Sequence, residues 1–144
     1  MAVTGIRSAS LRRRYAAAVL DGMLSFASGL AAGLVYFMSQ VTSMAIPGPV
    51  WASVLAGGVA VSFVNHVVLV VMVRASTGKA LVGTSVVRSS DGGRPRLHQA
   101  LGRWLGGFLF GLIVVPLAFA LGGSEAEPQD FAGLRIIHPS TSRA

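Results

Sequence analysis

The chain has 144 residues, of which 53% are hydrophobic and 12% charged, with no cysteine and a formal net charge of +7. A soluble domain carries about 25% charged residues, so this composition belongs to a single integral membrane domain with no space for a soluble catalytic domain beside it. The absence of thiols excludes a disulfide framework, a thiolate metal site and a cysteine nucleophile.

Residues 1–14 form a basic tail that ends in Arg12, Arg13 and Arg14. The first predicted span covers 15–38 and carries one charge, Asp21. About 20 apolar residues, rising ~1.5 Å each, cross a ~30 Å hydrocarbon core as a helix. A cleaved signal peptide is not expected, because the apolar run exceeds the ~7–15 residues of a signal core. Asp21 lies roughly 10 Å deeper than Arg14 along the axis. A carboxylate at that depth is paired, protonated, lining a polar cavity or hydrated near the surface. Asp21 is therefore expected not to face lipid, and to meet Asn65 or His66, or Arg14 or Arg103 at the membrane boundary.

Residues 39–50 hold no charge and contain the turn signal Pro47-Gly48-Pro49. The second predicted span, 51–73, opens on Trp51 as an interfacial anchor and ends at Arg74. Within it, Ser62 and His66 are four apart and share a helix face. Asn65 and His66 stand at a depth similar to that of Asp21 when both helices cross without much tilt. An Asp21–Asn65/His66 cluster has two readings, a cation or proton site or an interhelical hydrogen bond that holds the bundle.

The segment 74–103 is polar and carries Arg74, Lys79, Arg88, Arg94, Arg96 and Arg103. With the basic tail before the first span and none in 39–50, the positive-inside rule puts the N-terminus and 74–103 in the cytoplasm and 39–50 outside. This flanking of apolar runs accounts for the net charge, and nucleic-acid binding is not inferred from it. Residues 80–87 read as extended, with β-branched Thr84, Val86 and Val87, and Asp91-Gly92 signals a hairpin-like reversal. An isolated two-stranded element is marginal, so a third strand or a helix surface is needed. Residues 96–103 read as an amphipathic helix leading into a third apolar segment, 104–122, that contains Pro116. Residues 123–144 form a polar tail.

Gly78-Lys79 is not a phosphate loop, since Val73 and Ala80 stand where that motif needs glycine and Ser/Thr. Gly29-x-x-x-Gly33 and Gly107-x-x-x-Gly111 would let helix backbones approach closely. His98 and His138 have no partner at metal-ligand spacing, and no nucleophile–base pair is visible, so no metal, cofactor or enzymatic activity is expected.

Three motifs carry a family resemblance. The first is Arg14 followed by Asp21. The second is Thr77-Gly78-Lys79-Ala80-Leu81-Val82-Gly83-Thr84-Ser85-Val86-Val87, then Asp91-Gly92-Gly93 and Gln99-Ala100-Leu101-Gly102-Arg103. The third is Asp130-Phe131-Ala132-Gly133, running into Ile136-Ile137. Together they resemble the RDD family of small bacterial membrane proteins, named for one arginine and two aspartates. The chain departs from the family at Gln129, where histidine is frequent, at Leu134, where threonine is frequent, and at Glu125 and Glu127, which replace a basic stretch.

The resemblance implies a single membrane domain over 1–144 in the bacterial cytoplasmic membrane, and a closing strand at 134–137 that would pair with 82–87. That pairing requires the tail inside. Residues 104–122 are too few for two full spans, so they are read as a re-entrant pair of half-helices bent near Pro116, with a single span as the alternative. The expected fold is thus an all-α membrane bundle, with two full transmembrane helices, a third apolar segment and a short cytoplasmic β-hairpin-like element. The candidate polar and family-motif residues are Arg14, Asp21, Asn65, His66, Gly78, Lys79, Gly83, Asp91, Arg103 and Asp130. The expected function is that of a non-enzymatic accessory or assembly subunit of a larger membrane transport complex. Its partners would be the bilayer, other membrane subunits or further copies of the chain. The alternative, implied by proton- or sodium-coupled exchange proposed for RDD proteins, is a small oligomeric transporter using Asp21.

Overall fold

The computed structural model describes residues 6–44, 46, 48–110 and 133–139. Strand β1 (Ile6–Ser8) precedes helix α1 (Leu11–Thr42), which is 32 residues long and rich in alanine and leucine. Near its far end the hydroxyls of Ser39, Thr42 and Ser43 donate to carbonyls three or four residues back, and Ser43 Oγ also reaches the Gln40 carbonyl, which the last turn leaves open. Met44 takes a left-handed backbone (φ 53°) and turns the chain. Helix α2 (Val50–Phe63) then runs back along α1 and continues through a π-helical turn, Val64–Val68, into α3 (Leu69–Val73). Both Leu11–Thr42 and the combined Val50–Val73 are long and apolar enough to cross a membrane.

Gly29 explains how closely the two long helices approach. A Cβ there would sit 2.6 Å from the Val54 carbonyl oxygen, and one at Gly57 would sit 2.5 Å from the Ala32 methyl. Glycines at 29, 33, 57 and 58 therefore form a small-residue seam between α1 and α2. Gly107 meets nothing within 4 Å, and Gly111 lies outside the described residues.

Arg74 ends α3 in the left-handed region (φ 62°), after which α4 (Thr77–Leu81) and strand β2 (Ser85–Arg88) follow. Helix α5 (Leu97–Leu109) packs back on the second long helix, and β3 (Leu134–Pro139) closes the described chain. The three strands form an antiparallel sheet in the order β1-β3-β2. Ser85 pairs with Ile137, Val86 with Ile136, Val87 with Arg135 and Arg88 with Leu134. Val67, Val70, Val86, Ala100 and Leu134 make the core under this sheet, with Trp104 packed against it.

Two sequence expectations are corrected here. Residues 80–87 are not extended throughout, because Thr77–Leu81 is a helical turn and Gly83 (φ 69°) reverses the chain before β2 begins at Ser85. The element is also not hairpin-like. Asp91 does build a tight turn, accepting from Arg88 Nη1 at 2.6 Å and from the Gly93 N–H at 2.9 Å, but the chain then enters α5. β2 instead takes β3 as its neighbour, and β1 is the third strand that such a small element needs. Helix α5 starts where the amphipathic stretch was expected. The re-entrant arrangement near Pro116, the rest of 104–122 beyond Phe110, and Asp130 lie outside the described residues.

Candidate functional site

Asp21 sits one third of the way along α1 and is 1% exposed. Its carboxylate is reached from two other parts of the chain. From the second long helix, Asn65 Nδ2 donates to Oδ1 at 2.7 Å. From α4 and its cap, Ser76 Oγ donates to Oδ2 at 2.6 Å, and the Gly78 N–H donates to Oδ1 at 2.7 Å. Lys79 Nζ lies 3.6 Å from Oδ2 and donates to Ser76 Oγ at 3.0 Å.

Local structure places each of these groups. The π turn puts Asn65, which is 2% exposed, on the α1 side of its helix, while His66 remains on the other side. Such turns recur at functional positions, because one extra residue re-aims the side chains around it. Asn65 Oδ1 accepts from both the Thr77 N–H and the Thr77 hydroxyl at 2.8 Å, so its NH₂ group must face Asp21. Gly78 has no side chain because there is no room for one. A Cβ would lie 2.9 Å from the Asp21 carboxylate and would also collide with the Ala17 carbonyl.

The electrostatic consequence falls on Lys79, which is 9% exposed and lies beyond the spanning helices. Burial pulls its pKa below the ordinary lysine value, and the facing Asp21 opposes that shift. Asp91 lies in solvent, where the Gly93 N–H holds its pKa below the usual carboxylate value, with Arg88 assisting.

The structure therefore brings together Asp21, Asn65, Gly78 and Lys79. His66 and Arg103 are placed next door, on a cavity of ≈ 480 Å³ that Lys79 also lines. Arg14 serves the start of α1, where its Nε donates to the Ala9 carbonyl at 3.2 Å. Gly83 and Asp91 are turn residues on either side of β2. Sequence reasoning missed Ser76 and Thr77. The available signal was a Ser-Thr pair directly before Gly78-Lys79, a helix-start pattern supplying donors beside a carboxylate that needed them.

The set around Asp21 consists of donors. An amide NH₂, a hydroxyl, a backbone N–H and an ammonium surround the carboxylate, whereas a hard cation needs several oxygen ligands. Among the described residues no group of three or more His, Asp or Glu side chains converges.

The model of the RDD family matches residues 8–132, which takes in Asp21, Asn65 and the Ser76–Lys79 turn. The chain belongs to the RDD family. No curated protein and no solved structure matches it. Membership of the RDD family and the two long apolar helices together support a membrane protein.

Proposed function

We propose that this RDD protein is a non-enzymatic accessory or assembly subunit of a larger membrane complex, of the transport class, in the bacterial cytoplasmic membrane. The observation that carries this reading is the donor-saturated Asp21 carboxylate, which ties α1, the second helix and the Ser76–Lys79 turn into one clasp. A clasp of this kind fixes the shape of a scaffold. What the chain then offers to other molecules is the apolar surface of α1, where Val19, Met23, Phe26, Leu30 and Leu34 are all exposed. By the positive-inside rule the sheet end of the helices faces the cytoplasm.

Purification in mild detergent, followed by mass spectrometry of the intact assembly, tests the proposal. A second membrane protein in fixed stoichiometry is expected. A pure homo-oligomer that moves ions in liposomes would overturn it.

The transporter reading keeps one observation in its favour, the cavity that places His66 and Arg103 beside Lys79. On that reading Asp21→Asn abolishes ion flux in liposomes, and on the scaffold reading liposomes show no flux to abolish.

A further inference from the structure

The three-stranded sheet has two outer edges, and they differ. On the β2 side the chain seals itself. Val86 and Arg88 turn their backbone groups away from β3, and there the Val86 N–H donates to the Arg74 carbonyl at 2.6 Å and the Arg88 N–H to the Gly93 carbonyl at 3.0 Å. On the β1 side the register leaves the edge open. The Ala9 N–H donates to the Ile136 carbonyl at 3.2 Å, so Ala9 and, two residues back, Arg7 direct their backbone groups at β3. Ile6 and Ser8 alternate with them and point their N–H and C=O outward. Pro139 agrees with that phase, because it stands opposite Ile6 and has no N–H to give. Among the described residues no backbone group bonds to this outer edge.

An open row of alternating donors and acceptors is a template for one more strand. The charge beside it is of one sign. Residues 1–20 hold four arginines and no acidic residue, and Arg12, just beyond β1, is exposed. A second copy pairing edge to edge would bring like-charged stretches together. A lipid surface offers acceptors to arginine but no alternating row for the backbone. An extended segment that carries acidic residues meets both requirements.

We propose that the outer edge of β1 takes up an extended acidic segment of a partner membrane protein as a fourth strand, bonded through the backbone of Ile6 and Ser8. β1 has three residues and offers two donors and two acceptors on this side, a small contact. It suits a partner already held in the same bilayer, for which the segment is a second point of attachment at high effective concentration. This edge contact rests on the accessory-subunit reading, which supplies the partner.

Amide hydrogen exchange of the purified full chain in detergent provides the test. Three peptides are titrated to about 1 mM, the effective concentration of a short tether. One alternates Glu and Val, one alternates Lys and Val, and one is the Glu–Val peptide with every backbone nitrogen methylated. The Ile6 and Ser8 amides are expected to exchange freely in the chain alone. With Glu–Val they are expected to slow saturably, by about tenfold when nine-tenths of the edge is occupied, and to be unaffected by the other two peptides. Ser8→Pro removes one outward donor without touching a bond to β3, and is expected to abolish the slowing at Ile6 while the Ala9 amide stays protected. No slowing, or equal slowing by the basic or the methylated peptide, would overturn the proposal. So would a Ser8→Pro chain that responds like the parent. Ile6 and Ser8 amides already slow without peptide would overturn it as well, since the edge would then be filled by the chain itself, or by a second copy if the protection grows with protein concentration. Should Ser8→Pro not fold, the three peptides on the parent protein decide. The peptides stand in for the natural partner, so this outcome is separate from that of mass spectrometry on the intact assembly.

Discussion

Thr77 determines which way the Asn65 amide points. Two donors from the same residue, its N–H and its hydroxyl, converge on Asn65 Oδ1 at 2.8 Å and leave Nδ2 for Asp21. Thr77→Val removes one of the two and is expected to cost about 1 kcal/mol. Asn65→Ala removes the whole bridge, leaving Oδ1 of Asp21 and the Thr77 N–H each short of a partner, and is expected to cost about 2–3 kcal/mol. Unfolding of the purified protein by denaturing detergent measures both. A Thr77→Val variant as stable as the parent would mean that the Thr77 hydroxyl does not orient the amide.

Gly78→Ala is the most damaging small substitution the structure offers. Its methyl would meet the backbone of α1 and the Asp21 carboxylate, and neither can yield without opening the clasp. A loss of about 2–4 kcal/mol is expected, comparable to overpacking a rigid core. Gly22→Ala, one residue from Asp21, meets nothing within 4 Å. It is expected to stabilise α1 by up to about 1 kcal/mol through helix propensity. Thermal unfolding of the pair in one detergent separates the steric effect from any general intolerance of α1.

Stability should rise with pH on the alkaline side. Lys79 has a pKa in the folded protein below its reference value of 10.5, with burial as the main cause. Between the two values the unfolded chain binds more protons than the folded one, so raising the pH favours folding across that window. Lys79→Met removes the titrating group, and its stability is expected to be flatter over the same range. A parent protein whose stability is flat or falls on approaching pH 10.5 contradicts the assignment.

The register between β2 and β3 can be locked covalently, because the chain has no cysteine of its own. Val87 and Arg135 are Cα partners, and opposed antiparallel residues stand ~4.5–5.5 Å apart, within reach of a disulfide. Val87→Cys with Arg135→Cys is expected to oxidise readily and raise the unfolding temperature. Val87→Cys with Ile136→Cys puts the thiols on opposite faces and is expected to stay reduced. Thiol titration after mild oxidation distinguishes them.

β3 pairs with β1 and β2, so it lies at the same end of the long helices as both. On the orientation proposed from the positive-inside rule, a cysteine at Ser142 is expected to resist an impermeant thiol reagent in intact cells and to react after lysis. Labelling in intact cells would place the tail outside.

The meeting of Asp21 with Asn65 was readable because it needs only depth arithmetic. Two apolar runs of known length, entered from opposite ends, bring those positions level. Ser76 and Gly78 were not readable as partners. Their placement depends on a left-handed Arg74 that folds the chain back under α1, and on a π turn that rotates Asn65, and neither leaves a periodic trace in the sequence. The family motif pointed to a pairing of 82–87 with 134–137, and the strand that forms is 85–88, because Gly83 reverses the chain first. The hairpin expectation failed because Asp91-Gly92 specifies a turn without specifying the element that comes after it. Lys79 read as a topology signal, whereas its burial against Asp21 emerges only in three dimensions.

The sheet order β1-β3-β2 also governs how the protein is made. The middle strand is the last to be synthesised, so β1 and β2 leave the ribosome with nothing between them. For that interval both present open edges that another chain could occupy. The helix pair, with its glycine seam and local connection, can assemble during insertion, but the cap over its end must wait for residue 139. Chains stalled or clipped before Leu134 would keep the helix pair yet leave Val86 and Val87 without the strand that pairs with them.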